Sequence, residues 1–76
     1  MTSFRDPNIN DFATTVIVSA KDDDDRVWTS IVFEDETIED FVRVVVDPDG
    51  EQFEFRDDPV PELVNEFAIW TDELFS

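Results

Sequence analysis

Phe41-Val42-Arg43-Val44-Val45-Val46, Asp47-Pro48-Asp49-Gly50 and Glu51-Gln52-Phe53-Glu54-Phe55-Arg56 form the stretch that decides the fold. Its first part is dense in β-branched residues, which suit a pleated, half-buried strand. Asp-Pro-Asp-Gly is a turn with a mechanism: proline presets φ at the second position and glycine supplies a positive φ. The return segment alternates polar residues with Phe53 and Phe55, so a β-hairpin is expected. Pairing Asp47 with Gly50 sets Val44 against Phe53 and Val42 against Phe55 on one face, and Arg43 against Glu54 on the other.

Upstream, Phe12 to Ala20 and Arg26 to Phe33 read as two more strands around the run Asp22-Asp23-Asp24-Asp25. Pairing Ala20 with Asp25 places Val18 opposite Val27, Val16 opposite Thr29, Thr14 opposite Ile31 and Phe12 opposite Phe33. That register puts Ile17 opposite Trp28 and Ala13 opposite Val32 on the outer face, with Val45 on the corresponding face of the other hairpin. This is an apolar patch for a solvent-facing surface. Two readings of it stay open: the N-terminal segment with Phe4 and Ile9 folds over it, or it meets a partner or a second copy of the chain. Between the hairpins, Glu34 to Asp40 is an acidic connector in which Thr37 and Asp40 have capping-box spacing, enough for one helical turn.

Downstream, Asp58-Pro59-Val60-Pro61-Glu62 has the features of a helix start. Leu63, Phe67, Trp70 and Leu74 recur at helical spacing beside Val64, Thr71 and Phe75, so a helix is expected to about Phe75 with its stripe on a sheet. The expected fold is therefore α+β: a four-stranded antiparallel sheet of two hairpins with one C-terminal helix on one face. Residues 1–11 read as a lead-in segment, and 12–76 as a single domain.

The chain has 76 residues, 21 acidic against 5 basic and no histidine, for a formal charge of −16. Forty-one per cent hydrophobic content with 8 Phe and 2 Trp is too apolar for a disordered acidic tail. Without histidine or cysteine, the commonest general base, the thiol nucleophile and the usual zinc ligands are missing. No Gly-rich phosphate loop or nucleophile elbow occurs, and the acids crowd turns rather than a pocket that would raise a carboxyl pKa. The expectation is a non-enzyme without cofactor. A metal reading of the aspartates is disfavoured, because Asp47-Pro48-Asp49-Gly50 lacks the calcium-loop spacing. No basic-then-apolar leader and no run of about 18–20 apolar residues is present, so a cytoplasmic protein is expected, in the host cell if phage-encoded.

So negative a chain is repelled by nucleic acid and anionic membranes, and its electrostatic partner is expected to be basic. Alternating strands sort the acids into two poles. Asp22, Asp23, Asp24, Asp25, Asp47, Asp49 and Glu51 gather at one, with the helix end Asp72 and Glu73. Glu34, Asp35, Glu36, Glu39, Asp40, Asp57, Asp58 and Glu62 gather at the other. Solubility needs a net charge of only about 2–8 in a small domain. The surplus suits either a polyanion mimic or a protein of high-salt surroundings, and one lysine in 76 residues fits the second.

Duplex DNA carries one charge per about 1.7 Å of axis. Acids at i, i+2 on a strand lie about 6.6–6.8 Å apart and acids at i, i+4 on a helix about 6 Å, near two steps of about 3.4 Å along one DNA strand. The leading expectation is a small acidic inhibitor occupying the nucleic-acid site of a basic nucleic-acid-binding protein or complex. By analogy of size and charge alone, this is the kind phages use against restriction or CRISPR-type defence. The expected contact residues are Asp22 to Asp25, Glu34, Asp35, Glu36, Glu39, Asp40, Asp47 and Asp49, with Trp28 as an aromatic anchor. The alternative is a halo-adapted α+β domain, monomeric or a dimeric interaction module.

Overall fold

The computed structural model describes residues 3–56 and 59–75. Five strands and one helix follow one another: β1 (Arg5–Phe12), β2 (Thr15–Lys21), β3 (Val27–Asp35), β4 (Asp40–Val46), β5 (Gln52–Glu54) and α1 (Glu62–Glu73). The fold is α+β, and the strands form one antiparallel meander in the order β1-β2-β3-β4-β5. The sheet thus has five strands and not the expected four. The extra one, β1, comes from the segment read as a lead-in. Its eight residues are all exposed, so it carries no hydrophobic period. It is held by backbone pairing to β2, with a bulge where Asp6 takes a positive φ of 54°, and Pro7 on an edge where its missing N–H leaves no ladder gap. The anchor is Phe4, buried edge-on against Trp28 and Phe67.

The core lies between the sheet and α1. Phe4, Ala20, Trp28, Val45, Val64, Phe67 and Ala68 form it, with Phe53, Phe55, Leu63 and Trp70 packed at its margin. The helix stripe turns as the spacing implies through Trp70 and Thr71, although Leu74 and Phe75 lie beyond the helix and are exposed. Pro61 occupies the N-cap without a side-chain cap. Asp57 and Asp58, expected at the helix start, lie outside the described residues.

Register departs from the sequence reading in both hairpins, for one reason. In the first, Ala20 pairs with Trp28 and Val18 with Ser30, three residues away from the expected alignment. In the second, Val45 pairs with Phe53 and Val44 with Glu54, one residue away. Both loops are five residues long, 22–26 and 47–51. An odd shift turns one strand of each pair over: β3 and β4 present the opposite faces, while β2 and β5 keep the expected ones. Trp28 and Val45, expected on the outer face, therefore point at the helix and are 3% and 0% exposed. The outer face keeps Ile17 as expected and gains Thr29, Ile31, Phe33, Val42 and Val44. One row across all five strands reads Asn10, Ile17, Ile31, Val44, Glu54. The row beside it reads Phe12, Thr15, Phe33, Val42, and the row on the other side Asn8, Ser19, Thr29, Val46, Gln52.

The two five-residue loops share one hydrogen-bond plan. Asp22 N–H donates to Arg26 O and Asp25 N–H to Asp22 O; Asp47 N–H donates to Glu51 O and Gly50 N–H to Asp47 O. The fourth residue of each is left-handed, with φ 64° at Asp25 and 86° at Gly50. A turn closed by one left-handed residue is a standard three-residue hairpin connection. Glycine adopts that φ freely, whereas another residue is strained by about 1 kcal/mol. Asp25→Gly is thus expected to raise stability by up to about 1 kcal/mol in urea melts, because its exposed pairs with Arg5 and Lys21 are worth little. A loss of stability would show that those pairs outweigh the strain.

Candidate interaction surface

Each of the three turns joining β2 to β5 opens with an aspartate whose carboxylate organises it. Asp22 Oδ1 accepts the N–H of Asp24 at 2.9 Å, Asp35 Oδ1 that of Thr37 at 3.0 Å, and Asp47 Oδ1 that of Asp49 at 3.0 Å. A short side-chain acceptor two residues back is the mechanism by which aspartate favours turns. Asp22 and Asp47 each accept a second N–H, from Arg26 at 3.0 Å and Glu51 at 2.8 Å. The 34–40 connector is therefore a tight hairpin turn rather than a turn of helix. Thr37, the expected cap, donates its hydroxyl back to Asp35 at 2.6 Å, and Glu39 takes a positive φ of 54°.

Asp22 is the most constrained of these acids. Its side chain is 1% exposed, and Oδ2 accepts the Trp28 indole N–H at 2.9 Å while the Arg26 guanidinium lies 3.3 Å away. Burial by itself raises its pKa. The hydrogen bonds from Trp28, Arg26 and Asp24, with the Arg26 charge, outweigh that and hold it below the usual 3.8. Asp35 is likewise lowered, by hydrogen bonds from Thr37 and from Arg56, whose Nη2 donates to Oδ2 at 2.8 Å.

All five basic side chains are ion-paired within the fold. Arg5 and Lys21 approach Asp25, Arg26 approaches Asp22 and Asp24, Arg43 pairs with Asp72, and Arg56 bridges Asp35 and Glu54. The tetrad Asp22 to Asp25 is thereby opposed by three cations, whereas among the described residues the hairpin tip bearing Glu34, Asp35, Glu36, Glu39 and Asp40 is opposed only by Arg56. Asp72, though exposed, is ion-paired with Arg43, midway along β4, and so is not one more uncompensated acid of the first pole. Arg43 also donates to Ala68 O, and its Nε is buried without a partner.

The expected contact residues therefore divide. Asp22 and Trp28 are buried and bonded to each other, which removes the aromatic anchor from the surface. Asp23, Asp24 and Asp25 are exposed among cations. Glu34, Glu36, Glu39, Asp40 and Asp49 are exposed and belong to none of the ion pairs, and Asp47 is half-buried in its turn. Large apolar side chains at the surface include Phe12, Ile38 and Phe41, 60%, 50% and 64% exposed, while Trp28 is buried. For Ile38 and Phe41 the signal lay in and just after the acidic connector, where they interrupt the charge. Among the described residues no three carboxylates are grouped to hold a metal ion, and no helix is long and apolar enough to cross a membrane.

Comparison with known proteins finds no matching family, no similar curated protein and no similar solved structure.

Proposed function

We propose that this protein is a small acidic binding protein that occupies the nucleic-acid site of a basic protein, its carboxylates standing where phosphates would lie. The observation that carries this reading is the division of charge. Every cation is paired internally, while Glu34, Glu36, Glu39 and Asp40 on one hairpin tip are exposed and, among the described residues, in no ion pair. Such a tip attracts a cationic groove over roughly a Debye length of about 8 Å at physiological salt, and steers encounter more than it sets final affinity. An inhibitor of a restriction or CRISPR-type nuclease is the kind of protein that size and charge suggest, by analogy alone.

The test uses a partner captured on the immobilised chain from cells that carry the gene. Duplex DNA should displace it. Replacing Glu36, Glu39 and Asp40 by Gln, Gln and Asn should weaken binding about tenfold or more and flatten its salt dependence, at about 0.5 kcal/mol or more per rim charge. Replacing Asp23 and Asp24 by Asn should matter less, because Arg26 and its neighbours already offset that turn. Unchanged affinity and salt slope in the triple variant would reject the mimic reading.

A second reading, a domain adapted to high salt, is favoured by a different observation. Asp35 and Asp40 are direct cross-strand partners, and such like charges destabilise a sheet unless screened, here offset on Asp35 by Arg56. It predicts unfolding below roughly molar salt, whereas an inhibitor working at about 0.15 M must be folded there. Circular dichroism during a salt titration separates the two.

A further inference from the structure

We infer that the uncovered face of the sheet is the surface on which the partner's non-ionic contacts fall, and that it fits a protein face with an apolar centre and a cationic rim. The inference rests on the binding role proposed above and goes beyond it by assigning the surface.

Charged residues make up 34% of this chain, yet across the three central rows of the outer face Glu54 alone is charged. Ile17, Ile31, Phe33 and Val44 occupy the middle of it, half-buried only by their neighbours. Among the described residues no element packs over them. The helix and Phe4 lie on the other side, against Ala20, Trp28 and Val45. The Arg56 arm reaches Asp35 and Glu54 on this face, spanning β4, which fits the 4% exposure of Val42. A charge-depleted centre within a charged periphery is the anatomy of a protein interface.

The rim decides the occupant. Besides the buried Asp22, the three turns at the sheet ends hold eleven carboxylates, against Arg5, Lys21, Arg26 and Arg56 nearby. A second copy laid on the face would bring a like-charged rim against it. A partner with Lys or Arg around an apolar patch opposes the rim charge and buries the aliphatic rows.

Two peptides of equal length and charge test this at about 0.15 M salt: one alternating Leu with Lys, the other Ser with Lys. The chain should bind the Leu–Lys peptide at least about tenfold more tightly, a gain of about 1.4 kcal/mol. Ile31→Thr and, separately, Ile17→Thr should abolish that excess while leaving Ser–Lys binding and the circular dichroism spectrum unchanged. Equal affinity for the two peptides overturns the surface assignment and leaves the electrostatic reading standing. No binding of either peptide overturns both. A dimer in sedimentation that Ile31→Thr dissolves also overturns the assignment, since a second copy would then be the occupant.

Discussion

Asp22→Ala is expected to destabilise the fold by about 3 kcal/mol, enough to lower the melting temperature by roughly 12–24 °C in a domain of this size. The loss is large because one carboxylate serves three donors. Removing it strips Asp24 N–H and Arg26 N–H of their acceptor, leaves the Trp28 indole N–H unpaired beside the core, and frees the Arg26 guanidinium. Each unmade bond costs on the order of 1 kcal/mol, more where water cannot replace it. Asp22→Asn separates the roles: its oxygen can still serve the two backbone donors, but its amide group faces the indole N–H and the guanidinium, so about half the loss should remain.

Acid should act on the same site. A carboxylate whose folded pKa is depressed contributes stability above 3.8, and that contribution disappears as pH falls through the lower folded value. The wild-type chain should therefore lose this stability only below pH 3.8, and Asp22→Asn should lack that acid limb. Asp35 has the same sign. Urea melts across pH measure both effects, and a change below about 1 kcal/mol in Asp22→Ala would refute the account of the turn.

Phe67→Ala should be costlier still, about 4 kcal/mol. Phe67 is 0% exposed, and its ring centroid lies 4.8 Å from Phe4, 5.6 Å from Trp28 and 5.8 Å from Trp70. Truncation leaves a cavity where helix, central strand and N-terminal segment meet, and a close-packed interior collapses only partly into such a space. Because Phe4 is the buried anchor of an otherwise exposed β1, the amides of β1 should lose hydrogen-exchange protection before those of β3. Phe67→Leu, which refills much of the space, should restore most of both. Uniform loss of protection across the sheet would show that β1 is held by its backbone ladder and not by Phe4.

Hairpin 41–56 and helix 62–73 were legible because their signals are local: turn formers between β-branched runs, and a stripe at helical period. So was the α+β class, and so were the two ends at which acids collect, since alternating strands send their turns that way. Strand β1 was not. Its residues Asp6, Pro7, Asn8 and Asn10 read as loop, and only pairing with β2 and the burial of Phe4 make them a strand.

Composition determined the net charge and the lack of histidine and thiol chemistry, and residue order determined the secondary structure that repeating apolar spacing dictates. Tertiary structure decided which faces β3 and β4 bury, because the parity of the register depends on five-residue turns built around Asp22 and Asp47, and a carboxylate's choice of backbone partners is not written in hydrophobic spacing. It also decided which acids remain unneutralised. Arg5 reaches the aspartate tetrad only because β1 folds back along β2, and that contact, across 20 residues of chain, exists only after the sheet has formed.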